Sequence, residues 1–576
     1  MVRIETDVLV VGGGAAGCFT AARLKEQAPR LRVLLLEKAH IVRSGCLAAG
    51  ISSLNCYVTK GQTPDSFLDY VRKDSHGLVR EDLVHSIARR VNEQVPHVEN
   101  WGLPIVKEED GSYKPRGRGS IRIRGERIKP ILARAVEQAG VRTLNRVVAT
   151  NYLLDGGRVR GVLGFGVRDG KLYVVTAKAT VCATGGASGL YSSTSAGLAR
   201  HKVWYSPFNT GAGYAMGLRA GAEMTTFEFR FIALRVKDFL APTGVLAQAL
   251  ESKQINARGE EYLPKYYQHL GGDKTTTPNR LLATILENRA GRGPCYMQTA
   301  HFEEEDLAFM KVSYLDMSPS MICLFGDPRL DPSKRPVEIS GSEPYVQGGH
   351  GAAGYWIDVE RRTTLAGLWA IGDVAGGAPK KYASGAWAEG QIAIESILET
   401  FRKGDLPEPS AKSIESHVQA ERTRVFAPFH RRERSRGHPA WDFHEAQEFE
   451  ERLQKIMDEY AGGIPSGYEL NEEKLLLARE GLRGLESALD HLSAGSLHDL
   501  LLAHEVMDRV LVARALVEHL LYRKETRWPC YQSRIDYPGT DDERWKKFLN
   551  SSYDHASGEI RIREVPFEPY QAGGQR

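Results

Sequence analysis

The sequence predicts an α/β protein in which a Rossmann-like nucleotide-binding domain is interrupted by an α+β capping domain and followed by a C-terminal helical domain. Three observations carry this expectation. A βαβ unit with a glycine-rich turn opens the chain, glycine-punctuated strand patterns return beyond residue 360, and the last third is charged and helix-periodic. At 576 residues the chain can build several cores. Lys plus Arg number 76 against 72 Asp plus Glu, a formal net charge of +4, so bulk charge gives no reason to expect nucleic acid. With 42% hydrophobic and 26% charged residues, disordered and collagen-like classes are excluded.

The elements follow in order. Asp7 to Val11 is a continuous apolar run, the pattern of a strand buried on both faces. Gly12-Gly13-Gly14-Ala15-Ala16-Gly17 follows, then a helix from Cys18 to Glu26 and a second strand, Val33 to Leu36, ending in Glu37. In this context the glycines allow a tight turn and close backbone approach, the helix N-terminus receives a pyrophosphate, and Glu37 accepts from ribose hydroxyls. Val174 to Thr184 reads as a strand entering Gly185-Gly186. Gly367 to Gly372 reads as a strand ending at Asp373, whose carboxylate suits a ribityl hydroxyl. Ser384-Gly385 opens a helix from Ala386 to Phe401, whose positive end suits the charge that appears on a reduced flavin. The recurrence of these segments favours FAD over NAD.

The FAD-binding domain is therefore expected to be discontinuous, residues 1–231 and 346–405, with a capping domain at 232–345 and a helical domain with a C-terminal tail at 406–576. Helical periodicity runs over Ser413 to Val425, Phe443 to Tyr460, Asn471 to Leu489 and Leu497 to Arg523. The seven cysteines never reach CxxC spacing, so no iron–sulfur or zinc site is built locally, and they read as free thiols. No stretch has 18 consecutive apolar residues and no signal-peptide pattern opens the chain, which predicts a cytoplasmic, non-transmembrane protein. Two basic stretches stand out: Lys114-Pro115-Arg116-Gly117-Arg118 with Arg122, Arg124 and Arg127, which could line an anion route, and Arg431-Arg432-Glu433-Arg434-Ser435-Arg436, which reads as surface charge.

At this point the residues carry a resemblance. Arg43-Ser44-Gly45-Cys46-Leu47-Ala48-Ala49-Gly50 resembles the second flavin loop of the fumarate reductase and succinate dehydrogenase flavoprotein superfamily. Within it the chain is most similar to the adenylylsulfate reductase alpha subunits, through Leu54-Asn55-Cys56-Tyr57, Trp101-Gly102-Leu103-Pro104, Gly221-Ala222-Glu223-Met224-Thr225, Arg230-Phe231, the run Glu338 to Tyr345, Arg527-Trp528-Pro529 and Asp541-Asp542-Glu543.

The resemblance implies a two-electron interconversion of adenylylsulfate with sulfite and AMP, or of a related sulfur oxyanion, at flavin N5. It also implies a catalytic set of Asn55, Trp204, Arg235 and His350. Arg235 would orient an oxyanion bidentately, and His350 and Trp204 would stabilise charge and exclude water. The cofactor set extends to Lys38, Ser44, Gly45, Ala49, Gly50, Ser52, Val148, Ala183 and Thr184. Gly45 stands where many relatives carry a flavin-linking histidine, so FAD is expected to be non-covalent. The expected partner is a ferredoxin-like iron–sulfur beta subunit with two 4Fe–4S clusters, or a ferredoxin, in a hetero-oligomer acting on a small anionic substrate. Thr284 occupies the place of the proton-donating arginine of the fumarate reductases, which disfavours reduction of an activated C=C bond. A third reading is an electron-conduit flavoprotein subunit. After Arg235-Val236-Lys237-Asp238 the run is aliphatic beyond Phe239, where the adenylylsulfate reductases carry aromatic residues.

Overall fold

Strand β1 (Val2–Val11) begins earlier than its apolar run, because Val2, Ile4 and Thr6 alternate with exposed Arg3 and Glu5 before the stretch that is buried on both faces. In this computed structural model, residues 1–117, 119–193, 203–239, 241–404, 411–434 and 445–571 are described. After β1 come helix α1 (Ala15–Gln27) and strands β2 (Val33–Glu37), β3 (Arg142–Asn145), β4 (Val147–Asp155), β5 (Arg158–Gly166) and β6 (Leu172–Cys182). They form one sheet in the order β3-β2-β1-β6-β5-β4, and the strand Leu368–Ala370 adds beside β6. The first three strands and β6 run parallel, with Val8 opposite Val33 and Val11 opposite Cys182, while β4 and β5 extend the sheet antiparallel. Leu368 lies parallel against Thr180. Residues more than 180 apart in sequence thus complete one nucleotide-binding sheet.

Between these halves lies a second sheet. Strands β7 (Leu234–Val236), β8 (Gln254–Ile255), β9 (Cys295–Met297) and β10 (Val337–Gly341) pair antiparallel in the order β7-β10-β9-β8. Helices α2 (Thr277–Arg289) and α3 (Glu304–Met317) pack with it around Leu234, Val236, Tyr262, Leu281, Met310 and Ile339. Helix α4 (Tyr382–Lys403) then returns to the first domain; it starts at Tyr382 rather than at the expected Ala386.

The helical periodicities resolve into α5 (Ala411–Arg434), α6 (Ala446–Tyr460), α7 (Glu472–Ala488) and α8 (Leu497–Tyr522). α8 is buried along most of its length and shares one apolar cluster with the nucleotide-binding sheet, Val510 and Val517 with Leu9 and Val11 among its members. Among the described residues, no helix is long and apolar enough to cross a membrane. Arg118, Ser435 and Arg436 of the basic stretches, and Phe443 at the expected start of α6, lie outside the described residues.

The tail adds strands to which the sequence assigned no element. β11 (Lys547–Asp554) and β12 (Glu559–Pro566) form a hairpin, and Asn550 and Ser551 pair with Thr225 and Met224, so the last strands close a small sheet on the first domain. The alternation Ile560, Ile562, Val565 against Arg561, Arg563 and Glu564 is the signal for it.

Candidate active site

The nucleotide loop is built from contacts that only glycine allows. Gly12 has φ of 103°, and a Cβ there would lie 2.5 Å from Ala183 O; one on Gly17 would lie 1.9 Å from Gly12 O. Gly14 caps α1 without a side chain and the first turn, with Ala15, Ala16 and Gly17, carries no acid, which leaves a positive helix end for phosphate. Glu37 closes the loop: its Oε2 accepts from Gly13 N at 2.7 Å and its Oε1 from Ala39 N at 2.8 Å. The buried Lys129, which sequence reading did not single out, donates to Gly13 O at 2.5 Å. A lysine on the apolar side of the helix Ile128–Gln138 was its only trace.

The second glycine loop sits directly on the first. Ser44 Oγ donates to Gly13 O at 3.1 Å, and a Cβ on Gly45 would meet Gly14 Cα at 3.1 Å. Ala49 ends the turn Cys46–Ala49, Gly50 backs onto α3 at Asp316 O, and the buried Ser52 accepts from Ile123 N at 3.2 Å. Ala183, Thr184 and Gly185 continue β6 past Gly12. Tyr205, also missed in the sequence, accepts from Gly186 N at 2.8 Å and donates to Asp373 Oδ2 at 2.7 Å. Burial pushes the Asp373 carboxyl above its ordinary range.

Other members of the expected cofactor set use their side chains elsewhere. Lys38 pairs with Glu505 on α8 at 2.6 Å, and Val148 packs in the cluster of Phe165, Val425 and Leu500. Ser384, now inside the first turn of α4, donates to Cys56 O at 2.6 Å, and Gly385 packs on Lys381 Cβ. For these four residues the backbone is what a cofactor could use. The glycine cradle, the open end of α1, and Glu37 and Asp373 at the strand ends fit an extended dinucleotide flavin.

His350 stands in an aromatic nest. Its ring lies 4.7 Å from Trp204, 4.8 Å from Phe231 and 4.5 Å from Tyr382, edge-on to the first and last. Gln347 Oε1 fixes its backbone by accepting from His350 N at 2.8 Å. Burial, with the nearby charge of Lys380, pushes the imidazole down to about 3, so it is neutral at physiological pH and offers one donor and one acceptor nitrogen. Lys380 itself pairs with Asp74. Lys380 and Tyr382 take positive φ of 65° and 50°, strained backbone of the kind that clusters at functional sites.

Arg235 reaches this nest through a relay. Fully buried on β7, it donates to Phe239 O at 3.1 Å and its Nη2 lies 3.9 Å from Glu343. Tyr345 donates to Glu343, and its hydroxyl accepts from Trp204 N at 2.9 Å. Asn55 is exposed, accepts from Ser53 Oγ at 2.8 Å, and precedes the Cys56 that anchors Ser384 at the head of α4. Tyr345, Phe231 and Tyr382 complete the cluster; the first two lay within motifs already singled out, without a role. Thr284 is buried in α2 between Tyr262, 2.8 Å away, and Gln254, and supplies no proton donor of arginine type.

Comparison with known proteins follows from this geometry. Residues 7–386 match the FAD binding domain family, and residues 450–573 match the fumarate reductase flavoprotein C-terminal family. The chain is 31% identical to the adenylylsulfate reductase subunit alpha of Megalodesulfovibrio gigas, over 98% of this chain and 96% of that one. It superimposes on the adenylylsulfate reductase of Archaeoglobus fulgidus with a TM-score of 0.93 and 38% identity, covering 98% of this chain and 96% of that one. A structure of adenosine-5-phosphosulfate reductase in complex with sulfite, as a covalent adduct, matches with a TM-score of 0.92 and 38% identity over the same shares. Quinol fumarate reductase of E. coli shares the fold, with a TM-score of 0.83 at 19% identity over 100% of this chain and 99% of that one.

Proposed function

The chain belongs to the adenylylsulfate reductase alpha-subunit family of FAD-binding flavoproteins, and from that premise we propose that it interconverts adenylylsulfate with sulfite and AMP. The observation that carries this reading is the likeness over 98% of the chain to a relative whose structure contains sulfite. FAD is bound non-covalently, and when bound it supplies the two-electron acceptor or donor.

The chain's own residues then have separable tasks. The loop from Gly12 to Gly17, with Glu37 and Asp373, binds and orients the cofactor, while Lys129 and Ser44 fix Gly13 O between the two loops. Arg235, with Glu343 and Tyr345 behind it, offers a positive planar fork to a sulfur oxyanion. The neutral His350 donates one hydrogen bond to the same anion without adding charge, and Trp204, Phe231 and Tyr382 keep water from the reacting atoms. Asn55 supplies a further polar contact at the edge of the site. In the reductive direction the bond between sulfate sulfur and phosphate oxygen breaks, two electrons enter, and sulfite and AMP leave. The electron partner in this proposal is a separate iron–sulfur beta subunit of ferredoxin type with two 4Fe–4S clusters, the assembly lying in the cytoplasm, and the chain divides at 231/232, 345/346 and 405/406.

The test is an anaerobic titration of the flavoprotein with sulfite and then AMP, followed in the main flavin absorption band. The reading expects reversible bleaching by sulfite that AMP alters. A band unmoved by sulfite, or fumarate turnover in its place, overturns it.

A further inference from the structure

The basic loop around residues 113–124 is not used by the reaction above. Its two arms pair: Pro115 bridges Ile121, Arg116 N donates to Ser120 O at 2.9 Å, and Gly117 and Gly119 take positive φ of 70° and 73°. The hairpin touches both domains. Arg122 pairs with Ser53 in a short antiparallel ladder on one side; on the other it lies 4.7 Å from the Phe309 ring of α3, while Arg124 reaches Asp316 at 3.3 Å.

Between these contacts sits the Arg116 guanidinium. Its Nη1 donates to Ser53 Oγ at 2.5 Å, and that hydroxyl donates on to Asn55 Oδ1. Its Nη2 lies 3.6 Å from where a Cβ on Gly244 would stand, in the turn whose Pro242 bridges Arg235. One cation therefore bridges from Ser53, which bonds Asn55, to the turn beside Arg235. Its neighbours Lys114 and Arg124 have carboxylates, Glu108 and Asp316. Among the described residues no carboxylate lies within ion-pair range of Arg116 or Arg122, and the buried Nε of Arg122 makes no hydrogen bond. Burial works against the protonated form of Arg116; the Tyr314 hydroxyl favours it, and the charge of Arg122 beside it opposes it again, leaving the net shift downward. Two adjacent, partly desolvated guanidiniums without an acid form a site that an oxyanion would complete.

We infer that Arg116, backed by Arg122, binds phosphate-type oxygens of a substrate lying across the cleft between Asn55 and the Pro242–Gly244 turn. The inference rests on the sulfonucleotide reading only for the molecule that brings the phosphate. Inorganic phosphate and AMP are titrated into the FAD-loaded protein and its Arg116→Gln and Arg116→Lys variants by calorimetry, with flavin content and melting temperature checked for each. The expected result is that Arg116→Gln weakens both ligands tenfold or more and Arg116→Lys weakens them less, with flavin content unchanged. Ser53→Ala, which removes only the hydroxyl that fixes the guanidinium, gives an intermediate loss and serves if Arg116→Gln does not fold. Equal affinity in all proteins, or no binding of either ligand to the unaltered protein, overturns the inference. A sulfite titration of the flavin band separates the two failures: bleaching with unaltered ligand affinity keeps the sulfur chemistry and removes Arg116, whereas absent bleaching with Arg116-dependent phosphate affinity does the reverse.

Discussion

Two charge clusters in this molecule follow opposite rules. In the seam between the first domain and the C-terminal segments every charge is answered. Glu228 accepts from His519 at 2.7 Å and from Arg523 at 2.8 Å, and Glu525 accepts from Arg523 at 2.8 Å and Arg527 at 2.7 Å. Arg523 spends its remaining donors on the carbonyls of Trp545 and Lys547. Burial alone would raise the Glu228 carboxyl, but Arg523 and His519 outweigh it and hold it below the usual range. At the hairpin around residue 116, by contrast, Arg116 and Arg122 have no acid in reach among the described residues. Closed networks hold domains together, whereas a surplus of one sign at a domain boundary is held for something that arrives from solution.

The sharpest break is Arg523→Met. It leaves Glu228 with His519 alone and Glu525 with Arg527 alone inside the protein, and should cost about 3–5 kcal/mol, read as a shift in the denaturant midpoint. A loss below about 1 kcal/mol would show that the seam is not the fastening described. His350→Phe comes next and should have the opposite profile. The phenyl ring fits the nest of Trp204, Phe231 and Tyr382, so the melting temperature should stay within about 2 °C, while turnover of adenylylsulfate falls about 100-fold, roughly 2.7 kcal/mol, with the polar nitrogens gone. Retained turnover would make His350 a packing residue.

Salt separates the clusters without mutation. Raising ionic strength from about 0.05 to 0.5 M should weaken AMP binding at the cleft severalfold and leave the seam's contribution to melting nearly untouched, because screening acts on accessible charge. The last contrast is in pH. Burial, with the charge of Arg424 beside it, pushes His504 down to about 3, and its Nε2 lies 3.0 Å from Val425 O. The folded value lies below the unfolded one of about 6.5, so the unfolded chain binds more protons between them. Stability should be full above about pH 6.5 and fall as the pH drops toward 3, with a slope on the order of 1 kcal/mol per unit per group. His504→Gln should flatten that slope in urea midpoints measured from pH 7.5 to 5. An unchanged slope would assign it to other groups, His350 first among them.

The legible part of this protein was its local grammar. Gly12 to Gly17 with Glu37, the segment at Asp373 and the periodic helices α5 to α8 each declare themselves within a few dozen residues. Sequence reading fell short where an element's meaning depends on a distant partner. The hairpin of β11 and β12 is short and rich in serine and charge, and it becomes a sheet edge only beside Met224 and Thr225. Among the site residues, Trp204 and His350 came only from the family resemblance. Tyr205 gains its role only from Asp373, 168 positions away, and Lys129 from Gly13, 116 positions away. Two side chains of the expected cofactor set find partners elsewhere in the fold: Lys38 pairs with Glu505, and Ser384 donates to Cys56 O.

The pairing of β11 with the strand at Met224 and Thr225 also sets a schedule. Leu549 O receives the hydroxyl of Thr225 across 324 residues of chain. On the ribosome, at roughly 5–20 residues per second, the segment that precedes the capping domain must wait between about a quarter of a minute and a minute for the strand that covers it. Through that interval Met224 and its neighbours form an unfinished edge on the nascent chain, and edges of this kind attract foreign strands. A premature stop between the cofactor loops and β11 would leave the edge open for good, so messages truncated ahead of β11 should yield aggregates or chaperone clients rather than a shortened flavoprotein.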